Sequence, residues 1–267
     1  MHLPESLEGY YYQQGYNYRD WTPDHSVRLG GGCQASSLLI AMRLMENNSA
    51  LSMANVEIAA NRLGLAFHDR DYATRISYAS IPILAAVNLP NHRIKFQHSN
   101  SLQEIGGFGN STFYGNEANR LYLNMPRITN LETSYKVSLP DQVDNIRLSL
   151  KSGGVAIPLV HGNTLYDSKD PATEKMLHAI VVGSYNEDAD TVRIIDPSPG
   201  FSHMPSFEKL RDDEKLRIRA NSVRRFSSIE AIAKKFHPLG SIDYELPMSK
   251  VQDSLRAVST TIEPFQS

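Results

Sequence analysis

The segment Arg28–Met45, RLGGGCQASSLLIAMRLM, runs three glycines into the only cysteine of the chain and then continues as an almost wholly apolar stretch. Apolar residues on nearly every side are typical of a helix in the middle of a core, so residues 34–45 are predicted to form a buried helix. The preceding glycines predict a flexible turn that brings Cys33 to the N-terminus of this helix. A thiol there gains nucleophilic thiolate character, because the helix dipole favours negative charge.

Further elements surround this segment. The pattern predicts helices over residues 53–63 and 79–87, the second followed by a strand RIKFQ, and with the first helix they make a helical half at about residues 20–100. Downstream, DQVDNIRLSLKSGG predicts an amphipathic helix stopped by Gly153, and VAIPLV predicts a buried strand after it.

The stretch HAIVVGSYNEDADTVRIIDPSPG predicts an antiparallel hairpin, because two β-rich runs are joined by turn-forming Asn, Glu and Asp residues. With VAIPLV it makes a predicted three-stranded sheet, in a second half at about residues 135–205. His178 begins the first strand of the hairpin and Asp196 ends the second, so both return to the same end of the sheet. Since neighbouring strands lie roughly 4.8 Å apart, their side chains are within hydrogen-bonding reach.

A nucleophilic cysteine needs two partner side chains, of the kind that His178 and Asp196 supply. A histidine must lie beside the sulfur, and a carboxylate or amide must hold the other ring nitrogen so that the correct tautomer faces the thiol. His178 and Asp196 fit that requirement for Cys33.

The remaining segments carry weaker signals. Five tyrosines among residues 10–18 predict an ordered strap, and the Gly- and Asn-rich segment 101–134 predicts a long flap whose candidate ligand contacts are Phe108, Phe113 and Tyr114. The alternation of charged and apolar residues after Phe207 predicts one or two surface helices at about residues 205–245 and a ragged C-terminus. With no repeat and no domain boundary, residues 1–267 are predicted to be a single α+β domain.

Composition excludes several classes of partner. Twenty-seven basic and 29 acidic residues leave a net charge of −2, too balanced for a nucleic-acid surface. No stretch approaches about 20 uninterrupted apolar residues, and the first residues lack the pattern of a signal peptide. We therefore expect no membrane partner, and either a cytoplasmic location or secretion by a signal-peptide-independent route. The nine histidines form no i, i+4 pair and there is no second cysteine, so we expect no metal and no cofactor.

A cysteine at the start of a buried helix, followed much later by HAIVVG, a turn, a strand and Asp-Pro, resembles the papain-like (clan CA) cysteine peptidases, especially their C39-like branch. The layout is also similar to staphopain-like bacterial effector proteases. The resemblance covers about residues 30–41 and 141–199 and implies a papain-like fold, with the cysteine in the helical half and the histidine and acid on an antiparallel sheet. It implies that Cys33 is the nucleophile, His178 the general base and Asp196 the orienting residue of a thiol hydrolase acting on a protein or peptide substrate.

The chain departs from the family pattern at the oxyanion hole. The family places a glutamine about six residues before the cysteine, where its amide helps to hold the oxyanion, and Val27 occupies that position here. Ser26, Arg28 and Gln34 are the side chains that could substitute, together with backbone N–H groups around Cys33. Some relatives deamidate glutamine or transfer acyl groups, so a glutamine deamidase or an acyltransferase is an alternative to a protease.

Structural interpretations compete with the catalytic one. A lone cysteine is usually a small buried hydrophobe, a strand-edge histidine can simply cap a sheet, and Asp-Pro commonly starts a turn. The glycine run resembles an anion-binding loop but lacks the Lys-Ser/Thr of a nucleotide-binding P-loop. The main rival is a non-catalytic peptide-binding module that keeps the scaffold and uses a cleft beside the aromatic residues of the flap. The missing glutamine supports it.

Overall fold

The computed structural model describes residues 3–12, 33–68, 74–99, 128–167, 177–198 and 226–265 of the 267-residue chain. Over these ranges the protein is a mixed α/β fold with seven helices and a mostly antiparallel sheet of eight strands. This architecture is compatible with the predicted α+β class.

The helices are, in chain order, α1 (Cys33–Glu46), α2 (Met53–Arg62), α3 (Ser80–Asn88), α4 (Leu139–Lys151), α5 (Gly162–Tyr166), α6 (Phe226–Phe236) and α7 (Met248–Ser254). The first four lie close to the predicted bounds. α4 begins where it does because Ser138 Oγ accepts a hydrogen bond from the N–H of Asp141 at 3.2 Å and Pro140 occupies the first turn. Gly153, with a φ of 82°, follows the end of this helix.

The strands are β1 (Ala66–His68), β2 (Thr74–Ile76), β3 (His92–His98), β4 (Leu131–Tyr135), β5 (Val155–His161), β6 (Leu177–Ala179), β7 (Val181–Asn186), β8 (Thr191–Ile195), β9 (Asp243–Pro247) and β10 (Leu255–Pro264). β1 and β2 form a separate antiparallel pair. The large sheet has the order β4-β3-β10-β5-β7-β8-β9, and β6 pairs with β5. Within the described strands, β3 and β4 are the one parallel pair.

The large sheet separates two hydrophobic layers. Val155, Ile157 and Leu159 of β5 face the layer that contains α1, α2 and α3, whereas Ala156 and Val160 face the layer of α4, α5 and α7. This alternation follows from the two-residue period of a strand. α1 contacts both the sheet and the neighbouring helices α2 and α3, which explains why its sequence is apolar on nearly every side.

The C-terminal region differs from its prediction. α6 forms as predicted, but the chain then continues as β9, α7 and the ten-residue strand β10, which inserts between β3 and β5. Ser259, Thr260 and Thr261 give β10 a polar sequence, although all of them are buried. Ser259 Oγ donates a hydrogen bond to Gln142 Oε1 of α4 at 3.0 Å, so its polarity is satisfied inside the fold. The sheet is therefore larger than the predicted three strands.

Residues 3–12 lie against the body, consistent with the predicted N-terminal strap. Leu7 and Tyr11 are buried, and Arg43 Nη1 of α1 donates a hydrogen bond to the carbonyl of Tyr11 at 3.0 Å. The Tyr11 hydroxyl donates to the backbone carbonyl of Asp196, also at 3.0 Å. The strap thus reaches the candidate site. Tyr16 and Tyr18 lie outside the described residues.

Candidate active site

Cys33 is the first residue of α1, and only 8% of it is exposed. Ser37, one turn further along the helix, donates a hydrogen bond from Oγ to the carbonyl of Ala179 at 3.0 Å. Because Ala179 directly follows His178, this bond holds the thiol-bearing end of α1 against the histidine. The helix N-terminus also places a partial positive charge near the sulfur.

His178 lies on a shorter strand than the sequence predicts. The run HAIVVGSY is divided at Ile180, so β6 pairs with β5, with His178 opposite Val160, while β7 pairs with β8. Asp196 directly follows β8, and its N–H donates to the carbonyl of Ile242 at 2.8 Å. The chain still returns to the same end of the sheet, where His178 Nε2 lies 2.8 Å from Asp196 Oδ1.

The structure brings Cys33, His178 and Asp196 into one connected group. Because Nε2 of His178 is bound to Asp196, Nδ1 is the ring nitrogen available to the thiol, and His178 is close enough to lower the pKa of Cys33. His178 is 2% exposed and Asp196 is fully buried. Buried ionisable groups need partners, and each of these groups is the partner of the next.

These groups shift one another's pKa values. Burial raises the pKa of Cys33, but the hydrogen bond and charge of His178 and a hydrogen bond with Tyr78 help to bring it below its ordinary value. Burial lowers the pKa of His178, but the charge and hydrogen bond of Asp196 outweigh burial and raise it to about 10. Burial raises the pKa of Asp196, yet His178 and His237 hold it well below its usual range. At neutral pH these directions favour a thiolate, an imidazolium and a carboxylate.

Asp196 is surrounded by hydrogen-bond donors that replace the water its buried carboxylate has lost. Oδ1 is within hydrogen-bonding distance of His178 and accepts from the backbone N–H of Ser198 at 2.7 Å. Oδ2 contacts donors from three separate segments: His237 Nε2 at 3.2 Å, Tyr244 OH at 3.4 Å, and Tyr166 OH. Both carboxylate oxygens are therefore held by the protein.

Two more polar side chains contact the sulfur of Cys33. Tyr78 OH lies 3.5 Å from Sγ, and Gln34 Oε1 accepts a hydrogen bond from the S–H group at 3.4 Å. Tyr78 lies between β2 and α3, and its ring is buried. Gln34, one of the predicted oxyanion residues, is therefore at the sulfur, although its oxygen faces the thiol.

Four residues of this site are not predicted by any pattern in the sequence: Tyr78, Tyr166, His237 and Tyr244. They come from separate segments, and no spacing or motif marks them, since their shared environment exists only in the folded chain. The predicted oxyanion residue Ser26 and the predicted ligand contacts Phe108, Phe113 and Tyr114 lie outside the described residues.

No protein-family model and no curated protein matches this chain. In the ranges that the structure describes, no group of three or more His, Cys, Asp or Glu side chains is arranged to hold a metal ion. Over the same ranges, none of the helices has the length and apolar character needed to cross a membrane.

Proposed function

We propose that the protein is a papain-like cysteine hydrolase, in which Cys33 attacks the carbonyl carbon of a peptide bond or a glutamine carboxamide. The observation that supports this function is the connected group of Cys33, His178 and Asp196. It combines a thiol at a helix N-terminus, a histidine on the strand packed against that helix, and a carboxylate on the far ring nitrogen. The division of these residues between a helical layer and a sheet supports the papain-like fold.

In the proposed acylation step, Cys33 reacts as the thiolate and His178 as the imidazolium. Sγ attacks the carbonyl carbon, a C–S bond forms, and the carbonyl oxygen becomes an anion. His178 then gives its Nδ1 proton to the leaving nitrogen as the C–N bond breaks. An amine or ammonia departs, and a thioester remains on Cys33.

Water completes the cycle. Neutral His178 takes a proton from water at Nδ1, the oxygen attacks the thioester carbon, and the C–S bond breaks to release a carboxylic acid product and the thiolate. Asp196 keeps the proton on Nε2 throughout, because the 2.8 Å contact holds that nitrogen as a donor. An amine that replaces water in the same steps would make the protein an acyltransferase.

Tyr78 is the proposed oxyanion donor in place of the upstream glutamine. The carbonyl oxygen is bonded to the carbon that Sγ attacks, so a hydroxyl 3.5 Å from Sγ is within reach of that oxygen. Gln34 is a second contributor. Its oxygen accepts from the neutral thiol, and rotation of the amide presents the NH₂ group once the sulfur carries a negative charge.

The experiment that tests this function uses p-nitrophenyl acetate, an activated ester that acylates a nucleophilic thiol without peptide recognition. We expect a burst of p-nitrophenolate equal to the protein concentration, then slower release as the thioester hydrolyses. Peptide mapping should find the acetyl group on Cys33. A wild-type protein that shows no burst, and acetylation only on lysines, would favour the non-catalytic peptide-binding module.

Assays on peptides then separate the two amide substrates. A protease shortens a peptide library, whereas a deamidase releases ammonia from glutamine-containing peptides and leaves the chains uncut.

Replacing Tyr78 with Phe should slow acylation far more than alkylation. Attack on p-nitrophenyl acetate develops an oxyanion, whereas alkylation by iodoacetamide does not. We expect the acylation rate constant to fall by about 10²-fold, the cost of losing one oxyanion donor, with the alkylation rate of the fully ionised thiol changed by less than about tenfold. The first rate is read from the p-nitrophenolate burst and the second from mass spectrometry.

Tyr135→Phe is the matched control for this substitution. Tyr135 is a half-buried tyrosine on the edge strand β4, where it packs against Phe96. Its loss should leave both rate constants unchanged. An equal fall of acylation and alkylation in Tyr78→Phe would instead limit Tyr78 to stabilising the thiolate.

A further inference from the structure

The carboxylate of Asp196 is shared by two histidines. Oδ1 lies 2.8 Å from His178 Nε2, and Oδ2 lies 3.2 Å from His237 Nε2. His237 directly follows α6 and is 4% exposed, so it is buried almost as fully as His178. The mechanism proposed above uses only the first of these histidines.

The hydrogen bond made by the second ring nitrogen of His237, Nδ1, indicates which nitrogen carries the proton. Nδ1 accepts a hydrogen bond from the backbone N–H of Leu239 at 3.1 Å, and an accepting ring nitrogen carries no proton. The proton of the neutral ring is therefore on Nε2, which donates to Asp196. A hydrogen bond from the N–H of Gly240 to the carbonyl of His237, at 2.9 Å, closes the same turn. His237 is thus a neutral donor, in contrast to His178.

Two tyrosine rings pack against His237. The Tyr166 ring lies edge-on at a centroid distance of 5.4 Å, and the Tyr244 ring lies at the same distance in a tilted orientation. Both hydroxyls contact Oδ2 of Asp196. Burial, and then the charge of Asp196, raise the pKa of each tyrosine well above its ordinary value, so both stay protonated donors. Within the described ranges, the ionisable groups that contact His237 are these tyrosines and Asp196.

We propose that His237 is a positioning residue of the active site, which ties Oδ2 of Asp196 and thereby keeps Oδ1 directed at His178. This role rests on the thiol chemistry proposed above. His237 is one of the three donors on Oδ2, and without it the carboxylate is held less firmly by the two tyrosine hydroxyls, can turn about its last bond and weakens its contact with His178. Weakening that contact destabilises the imidazolium, and with it the thiolate of Cys33.

The test uses two variants that distinguish the roles of the two ring nitrogens of His237. In His237→Gln the amide nitrogen reaches about as far as Nε2 and can still donate to Asp196. In His237→Asn the shorter amide reaches only as far as Nδ1 and leaves Oδ2 without this donor. The measurement is the pH dependence of Cys33 alkylation by iodoacetamide.

We expect His237→Gln to stay close to the wild-type profile. His237→Asn should raise the midpoint of alkylation by about one pH unit or more, a tenfold or larger loss of the thiolate–imidazolium pair, as expected for one lost hydrogen bond to a charged group. His92→Asn is the control for losing a buried histidine elsewhere, on β3, and should leave the profile unchanged.

A double-mutant cycle shows whether His237 acts through Asp196. In the Asp196→Asn background, His237→Asn should cause no further shift, because the anion that it supports is gone. A further shift of similar size, or the same profile for wild type and both His237 variants, would overturn the positioning role.

Nitrogen NMR of ¹⁵N-histidine-labelled wild type gives an answer that does not depend on the folding of His237→Asn. The resonances are assigned by their loss in His237→Gln. We expect His237 to show a protonated Nε2 and an unprotonated Nδ1 in the folded protein, and a protonated Nδ1 would overturn the inference.

The alkylation data also distinguish this inference from the proposed function. If wild-type Cys33 reacts at low pH and His178→Ala removes that reactivity, the thiol chemistry stands, and an unchanged His237→Asn profile rejects only the positioning role. If wild-type Cys33 resists alkylation until the protein unfolds, both are rejected.

Discussion

Cys33→Ala should abolish acyl transfer and leave the fold intact. The sulfur is the only protein atom that bonds covalently to the substrate carbon in the proposed mechanism, whereas His178 and Asp196 should keep their mutual 2.8 Å contact in the variant. Removing a nucleophile of this type lowers kcat by about 10⁶-fold in a hydrolase whose residues act as a unit. The burst from p-nitrophenyl acetate, and the steady release after it, should therefore fall to the background of the other side chains.

Folding and chemistry are measured separately in this experiment. Near-ultraviolet circular dichroism and thermal unfolding report the fold, and we expect only a small change, because the substitution removes a single buried atom. Cys33→Ser is the matched control, since it keeps the size and hydrogen-bonding capacity of the side chain but replaces the thiol with a far less ionised hydroxyl. It should be folded and inactive. A wild-type burst in Cys33→Ala would end the proposed function.

His178→Ala should move the alkylation of Cys33 to much higher pH. In wild type the lowered pKa keeps Cys33 as a thiolate below about pH 8.5, and reactivity is lost only as the pH falls through that lowered pKa. Without His178, the burial that raises the pKa is opposed only by weaker hydrogen bonds, including the one with Tyr78. The midpoint should then lie at or above about pH 8.5, and alkylation near pH 6 should fall by about 10²-fold or more.

The measurement is mass-spectrometric labelling of Cys33 across a pH series, with wild type unfolded in denaturant as the reference for an ordinary thiol. His161→Ala is the control variant. His161 ends β5, opposite Leu177 of β6, so it is a histidine near the site that makes no contact with the sulfur among those described. It should keep the wild-type profile. Identical profiles for wild type and His178→Ala would show that the thiol is not paired with His178.

The positions of α1 and β5 could be predicted from the sequence because each has a strong local pattern. α1 is apolar on nearly every side and begins after a glycine run, and β5 is a continuous apolar strand that follows the glycines after α4. Such patterns predict burial directly, because a segment that is apolar on every side is stable only inside the core.

β10 could not be predicted in the same way. Its residues include Ser259, Thr260 and Thr261, which resemble a solvent-exposed tail in composition. They are buried because β3 and β5 pair with both edges of the strand, and α4 supplies Gln142 as the hydrogen-bond partner of the Ser259 hydroxyl. These partners lie far away in the sequence, so no local pattern reports them.

The same distinction applies to the candidate site, since some of its features are set by local sequence and others by tertiary contacts. The sequence by itself determined the start of α1 at Cys33 and the return of His178 and Asp196 to one end of the sheet, because helix starts and hairpins are local structures set by neighbouring residues. Only the tertiary structure decided which side chains surround them. Tyr78 meets the sulfur, and His237 meets the carboxylate, through contacts between segments 45 and 41 residues apart. Such contacts depend on how the helices pack against the sheet, which no single segment encodes.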